Sequence, residues 1–250
     1  MTMFPSDSAP PTAPGEPFDY EGIPSGYYDH VFRRHRGMQS KWHHLKFQRV
    51  ARELAGHHRV LDVGCGPGTL AGNFTDHEWV GTDLSTRQIE YARATYGGRG
   101  IRFYAESPRE LPDSERDFDA VTMVELIEHL DPRLLANTLE DALDRVRPGG
   151  KVVLTTPNFH SPWPLLEAAL NRVTEVSYDF QHINKFTRFR LSALLESHGL
   201  EHVSAEPYLC LAPFTAVLGW RLADRVVRVD RRWLEPRLGL LLIGTGFKPS

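Results

Sequence analysis

Glu125-Leu126-Ile127-Glu128-His129 puts two carboxylates and an imidazole at i, i+3 and i+4 directly after a β-branched run. A helix starting there would carry all three on one face. Two carboxylate oxygens and a ring nitrogen so grouped are three ligands for a divalent cation such as Mg²⁺, Mn²⁺ or Zn²⁺, and His182 is the candidate fourth. Without a metal the same group does proton chemistry, with His129 as general base and Glu128 beside it. On the residues alone both chemistries stay open. A second constellation lies upstream. Val60-Leu61-Asp62-Val63-Gly64-Cys65-Gly66-Pro67-Gly68-Thr69 sets three alternate glycines where a strand should turn into a helix, and Asp83 follows about 20 residues on, after a second strand. Dinucleotide folds want G-x-G-x-x-G with bare N–H groups facing a pyrophosphate. Here the spacing is G-x-G-x-G, and the Asp62 carboxylate would repel a pyrophosphate but pair with an ammonium group. Asp83 can accept both hydroxyls of a ribose, so the pair suits a nucleoside with a cationic amino-acid tail.

The elements that must hold these groups are read from periodicity. Arg59–Val63, Trp79–Thr82, Ile101–Tyr104, Phe118–Val124 and Lys151–Thr155 are expected strands, with helices at Thr69–Asp76, Ser85–Tyr96 and Asp131–Val146 between them. Asp131-Pro132 should cap the last of these, and Arg147-Pro148-Gly149-Gly150 should stop it. The alternation predicts an α/β protein with a doubly wound, mostly parallel sheet and helices on both faces, ligands sitting at the carboxyl ends of the strands. Residues 1–17 are Pro-rich and expected to be a disordered tail, residues 18–57 a helical cap including a helix near Met38–Leu54, and residues 58–248 the main domain, with an insertion at about 158–187. A helix about Arg188–His198 ends at Gly199, Leu200–Tyr208 and Leu238–Phe247 are expected as the last strands, and Ala212–Val229 reads as one helix between them.

The glycine turn, Asp83 and the Arg147–Gly150 turn together resemble the class I S-adenosylmethionine-dependent methyltransferases over about residues 58–160. The resemblance implies a Rossmann-like sheet with an antiparallel last strand, and S-adenosyl-L-methionine as cofactor. Asp62, Gly64, Cys65, Gly66 and Gly68 would line its methionine moiety, Asp83 with Leu84 its ribose, Glu106 or Ser107 its adenine, and Glu125 would touch it as well. At 106–107 this chain departs from the more usual Gly-Asp pair. The Glu-x-x-Glu-His segment with a later His is similar to two subgroups, ubiquinone-biosynthesis catechol O-methyltransferases and the methyltransferases of small-RNA 3′ ends. Carried over, that implies a metal on Glu125, Glu128, His129 and His182 and a vicinal-diol acceptor, whose attacking oxygen a cation would acidify.

The expected acceptor is thus a hydroxyl on a small, lipophilic or vicinal-diol molecule; an RNA 3′-terminal ribose and a non-catalytic methyltransferase-like scaffold are the alternatives. The chain has 250 residues, 29 Lys+Arg against 32 Asp+Glu and a net charge of −3, so no global field drives it onto nucleic acid or anionic lipid. Arg221, Arg225, Arg228, Arg231, Arg232 and Arg237 alternate with Asp224, Asp230 and Glu235, which reads first as a solvated helix face. Trp163, Leu166 and Leu170 with Arg172 could rest on a membrane or simply cover a core. Two cysteines, Cys65 and Cys210, and the lack of an apolar leader fit a reducing cytoplasm, with peripheral membrane contact left open.

Overall fold

Five β-branched or apolar runs form the parallel core of a seven-stranded sheet in the computed structural model, which describes residues 24–98, 100–166 and 182–250. The strands are β1 (Arg59–Val63), β2 (Glu78–Thr82), β3 (Ile101–Tyr104), β4 (Phe118–Val124), β5 (Val146–Pro157), β6 (Glu201–Tyr208) and β7 (Leu241–Phe247), in the order β3-β2-β1-β4-β5-β7-β6. β1 to β5 run parallel, and β7 lies antiparallel between β5 and β6. The expected doubly wound sheet with an antiparallel last strand is therefore the fold.

Alternation along each strand divides the core. Leu61, Val63, Val121, Met123, Val152 and Leu154 face one layer, while Val60, Ala120 and Val153 face the other. The first layer is closed by α5 (Pro132–Arg145) and α6 (Arg188–Ser197). The second is closed by α2 (Gly37–Glu53), α3 (Thr69–Asn73), α4 (Thr86–Tyr96) and α8 (Trp220–Val229), with α1 (Tyr27–Arg33) and α7 (Ala212–Thr215) at its margins. Local chemistry sets the helix starts. The Ser85 hydroxyl accepts from the Gln88 amide, and the Asp131 carboxylate accepts from the amides of Arg133 and Leu134 with Pro132 at the first helical position.

Four expectations need correction. Glu125, Glu128 and His129 do not share a helical face: Glu125 has a φ of 55°, its amide donates to the Thr155 carbonyl, and a turn carries the chain to the cap at Asp131. The left-handed residue breaks the helical path before it starts. Arg147–Gly150 lies within β5, which begins at Val146, because the ladder with β4 resumes beyond a bulge that absorbs these residues. Ala212–Val229 is two helices rather than one, since Gly219 at φ 137° interrupts it. β7 starts at Leu241, three residues after the expected Leu238. The Pro-rich start, and Leu170 and Arg172 with much of the expected insertion at 158–187, lie outside the described residues.

Candidate active site

The β1–α3 turn and the end of β2 form one wall of a crevice at the carboxyl edge of the sheet. Gly66, at φ 51°, has no atom within 4 Å of where a Cβ would stand, so its backbone is open to a ligand. Gly68, at φ 72°, is held by packing instead: a Cβ there would come within 2.6 Å of the Phe103 ring. The Asp83 carboxylate accepts from the amides of Gly66, at 2.8 Å, and Ser85, at 2.9 Å. These bonds tie the glycine turn to the start of α4 and hold the carboxylate at the crevice. Leu84 beside it is 72 % exposed.

Asp62 lies beneath this turn. It is buried, and the Thr122 hydroxyl donates to it at 2.7 Å. Burial, partly offset by that bond and reinforced by Asp83, raises its pKa to about 7. Gly64 packs under Leu126, and Cys65 is buried. On the far side of β2, the Glu106 carbonyl accepts from the Thr82 hydroxyl, and the Ser107 hydroxyl is taken up in a capping box with Glu110. The open Gly66 backbone and the fixed Asp83 carboxylate fit a nucleoside cofactor; for the adenine, the side chain of Ser107 is already engaged.

The carboxylate–histidine group follows β4, the neighbour of β1, at the same carboxyl edge of the sheet. Ligand atoms of Glu128, His129 and His182 lie within 4.8 Å of one another, and Glu128 Oε2 is buried with no hydrogen-bond partner. Burial, and then the nearby Glu125 charge, push the Glu128 carboxyl well above the carboxylate range. A buried acceptor beside two imidazoles fits a divalent cation. Glu125 stands outside this trio, its carboxylate accepting from the Thr155 hydroxyl at 3.0 Å and facing Lys46 Nζ at 3.9 Å. His182 arrives from beyond β5 because Asn184 clamps the turn: its side chain donates to the carbonyls of Ile127 and Leu130 at 3.0 and 2.6 Å, and its amide to that of Glu128.

Around His182 lie aromatic rings, Phe159 at 6.0 Å and Trp163 at 6.2 Å between centroids, and Trp163 meets Trp42, which in turn meets Phe214. Lys46, Asn184 and Thr155 were not singled out as site residues from the sequence, and Trp163 was read there only as a membrane-facing or core residue. The one available signal was the His- and aromatic-rich stretch of α2, which turns Ser40, Lys41, His43 and Lys46 inward instead of outward.

Residues 33–205 match the family model described as "Methyltransferase domain". The chain is 35 % identical over 183 residues to a ubiquinone biosynthesis O-methyltransferase of Idiomarina loihiensis, covering 69 % of this chain and 72 % of that protein. It is 33 % identical over 132 residues to a fatty-acid O-methyltransferase of Mycolicibacterium smegmatis, covering 49 % of this chain and 47 % of that one. A solved S-adenosylmethionine-dependent methyltransferase from Archaeoglobus fulgidus superposes with a TM-score of 0.60 at 19 % identity, covering 89 % of this chain and all of that one. With its sheet order, glycine turn and Asp83, the chain belongs to the class I S-adenosylmethionine-dependent methyltransferases.

Proposed function

We propose that the protein transfers the methyl group to a hydroxyl of a small acceptor with an apolar or aromatic body, assisted by a divalent cation held on Glu128, His129 and His182. The observation that carries this reading is the convergence of three metal-ligand side chains on a wall of aromatic rings. The names of the relatives, O-methyltransferases of ubiquinone biosynthesis and of fatty acids, support a lipophilic acceptor.

When bound, S-adenosylmethionine supplies a sulfonium-activated methyl group, and a cation at the trio lowers the pKa of a coordinated hydroxyl. The protein's part is alignment and exclusion of water. Gly66 leaves its backbone open for the cofactor, and Asp83 holds a carboxylate where a ribose diol can donate to it. Thr155 and Lys46 fix the Glu125 carboxylate at the crevice, and Asn184 holds His182 against His129. Trp42, Phe159, Trp163 and Phe214 present ring faces and edges that accept an apolar body and exclude water. The test is turnover of phenolic, catechol and fatty acceptors before and after chelation, with His182→Ala in parallel. Loss on chelation with rescue by added Mn²⁺, Mg²⁺ or Zn²⁺ is expected. Full activity in the metal-depleted protein would assign His129 Nε2 the proton-accepting role instead.

A further inference from the structure

The carboxyl-terminal part carries a helical face that neither the cofactor crevice nor the three-ligand group uses. α8 buries Ala223 and Val227. Its other side exposes Leu222, Arg225 and Val229 at helical spacing, continued by Trp233 within a single π turn (Asp230–Leu234), with Arg221, Arg228 and Arg232 beside them. On the turn leading into the helix, Val217 is 69 % and Leu218 78 % exposed. Among the described residues, half of the exposed large apolar side chains fall within 211–238, a clustering that scattered surface residues do not produce.

Folding also changes the charge of this face. The acids that alternate with its arginines in sequence are engaged elsewhere: Asp224 stays exposed on the helix but is paired with a lysine of α2, and Asp230 and Glu235 are buried or half-buried. Asp224 Oδ1 accepts from Lys41 Nζ at 2.5 Å. Asp230 is fully buried, its Oδ2 accepting from the Ala212 amide at 2.5 Å. Glu235 is half-buried, its pKa raised by that burial. Arg221, Arg225 and Arg228 reach no carboxylate within ion-pair distance among the described residues. A chain of net charge −3 thus presents one face that is both basic and apolar.

We infer that this face docks on an anionic lipid bilayer. Guanidinium groups on long stems seat at the phosphate level while Val217, Leu218, Leu222, Val229 and Trp233 enter the acyl boundary, the division of labour of an interfacial helix. Nucleic acid would use the guanidinium groups and leave five apolar side chains in water. The same segment carries Phe214 onto Trp42, so docking sets the aromatic wall near the lipid; this last point rests on the acceptor pocket proposed above, whereas the docking does not.

The test is sedimentation of the whole chain with vesicles of phosphatidylcholine alone and of phosphatidylcholine mixed with phosphatidylglycerol, which needs no methyl acceptor. Binding to the mixed vesicles is expected, falling about fivefold for each of Arg225→Gln and Arg228→Gln. The double change Val217→Ser with Leu218→Ser is expected to weaken it at least about tenfold. All four side chains are exposed, so unchanged thermal melting should accompany these losses, and either pair alone decides if the other fails to fold. Wild-type protein left in the supernatant with anionic vesicles overturns the inference, as do variants that bind like wild type. A dimer in light scattering that the Val217/Leu218 change dissolves would give the face to a second copy. Binding of an oligonucleotide that depends on Arg225 and Arg228, with no vesicle binding, would give it to nucleic acid.

Discussion

Asp83 holds the glycine turn through the Gly66 amide and the start of α4 through the Ser85 amide, and the proposed ribose contact would fall on the same carboxylate. Asp83→Ala should weaken S-adenosylmethionine binding by about 1–3 kcal/mol, measured by titration calorimetry. Unchanged affinity would remove this residue from the site. Asp62 behaves differently because it is buried under the turn. Its folded pKa of about 7 lies above the ordinary aspartate value, so the folded state retains a proton that the unfolded chain has released. Stability linked to this group is therefore greatest below about pH 4 and is lost as pH rises toward 7. Asp62→Asn cannot ionise and should flatten that part of the profile: relative to wild type it should gain stability between pH 5 and pH 7.5 in denaturant titrations, by roughly 1–3 kcal/mol. A difference that does not change with pH would show that Asp62 is ionised in the folded protein.

At the scale of elements, a turn held from outside does what a helix was expected to do. Residues 125–130 contain no helical ladder, and their conformation depends on Thr155 from β5 and Asn184 from the segment beyond it. Asn184→Ala removes two donors to backbone carbonyls and should cost about 1–3 kcal/mol of stability by thermal or denaturant unfolding. Because it also loosens His182 relative to His129, metal affinity should fall more in this variant than in an exposed control such as Glu201→Ala. Equal metal affinity would mean that the trio is held by other contacts. The N-terminal helix α1 is secured on a different element. Buried Asp29 of α1 accepts from Tyr91 at 2.8 Å and from Tyr96, both on α4, so α1 is bound to the helix that starts beside Asp83.

Across the whole molecule, the two core layers meet through β5 and β7, whose antiparallel pairing brings α6 onto the sheet. Leu191 of α6 is fully buried and lies against Gly244 of β7, where a Cβ would come within 2.9 Å of it. Leu191→Ala should destabilise the protein by about 2–5 kcal/mol through lost burial and a residual cavity, lowering the melting temperature by about 2–4 °C per kcal/mol. A loss below about 1 kcal/mol would indicate that the helix re-seats and fills the space. No helix of the described residues is long and apolar enough to cross a membrane.

Local sequence was sufficient for whatever depends on period and capping. Strand alternation, the Asp131-Pro132 and Ser85 helix starts and the glycine turn are written within a few neighbouring residues. The spacing Glu125, Glu128, His129 singled out these residues but not their geometry, because a single positive φ at Glu125 replaces the expected helical face with a turn. Only tertiary structure brought His182 to Glu128 and His129, set Glu125 apart against Lys46, and turned the polar side of α2 inward. The same holds for the arginine-bearing helix: Asp224, Asp230 and Glu235 balance its charge along the chain, but their partners come from α2, the start of α7 and the end of β6. Propensity acts over a few residues, whereas the pairing of a charge depends on which distant side chains the fold packs beside it.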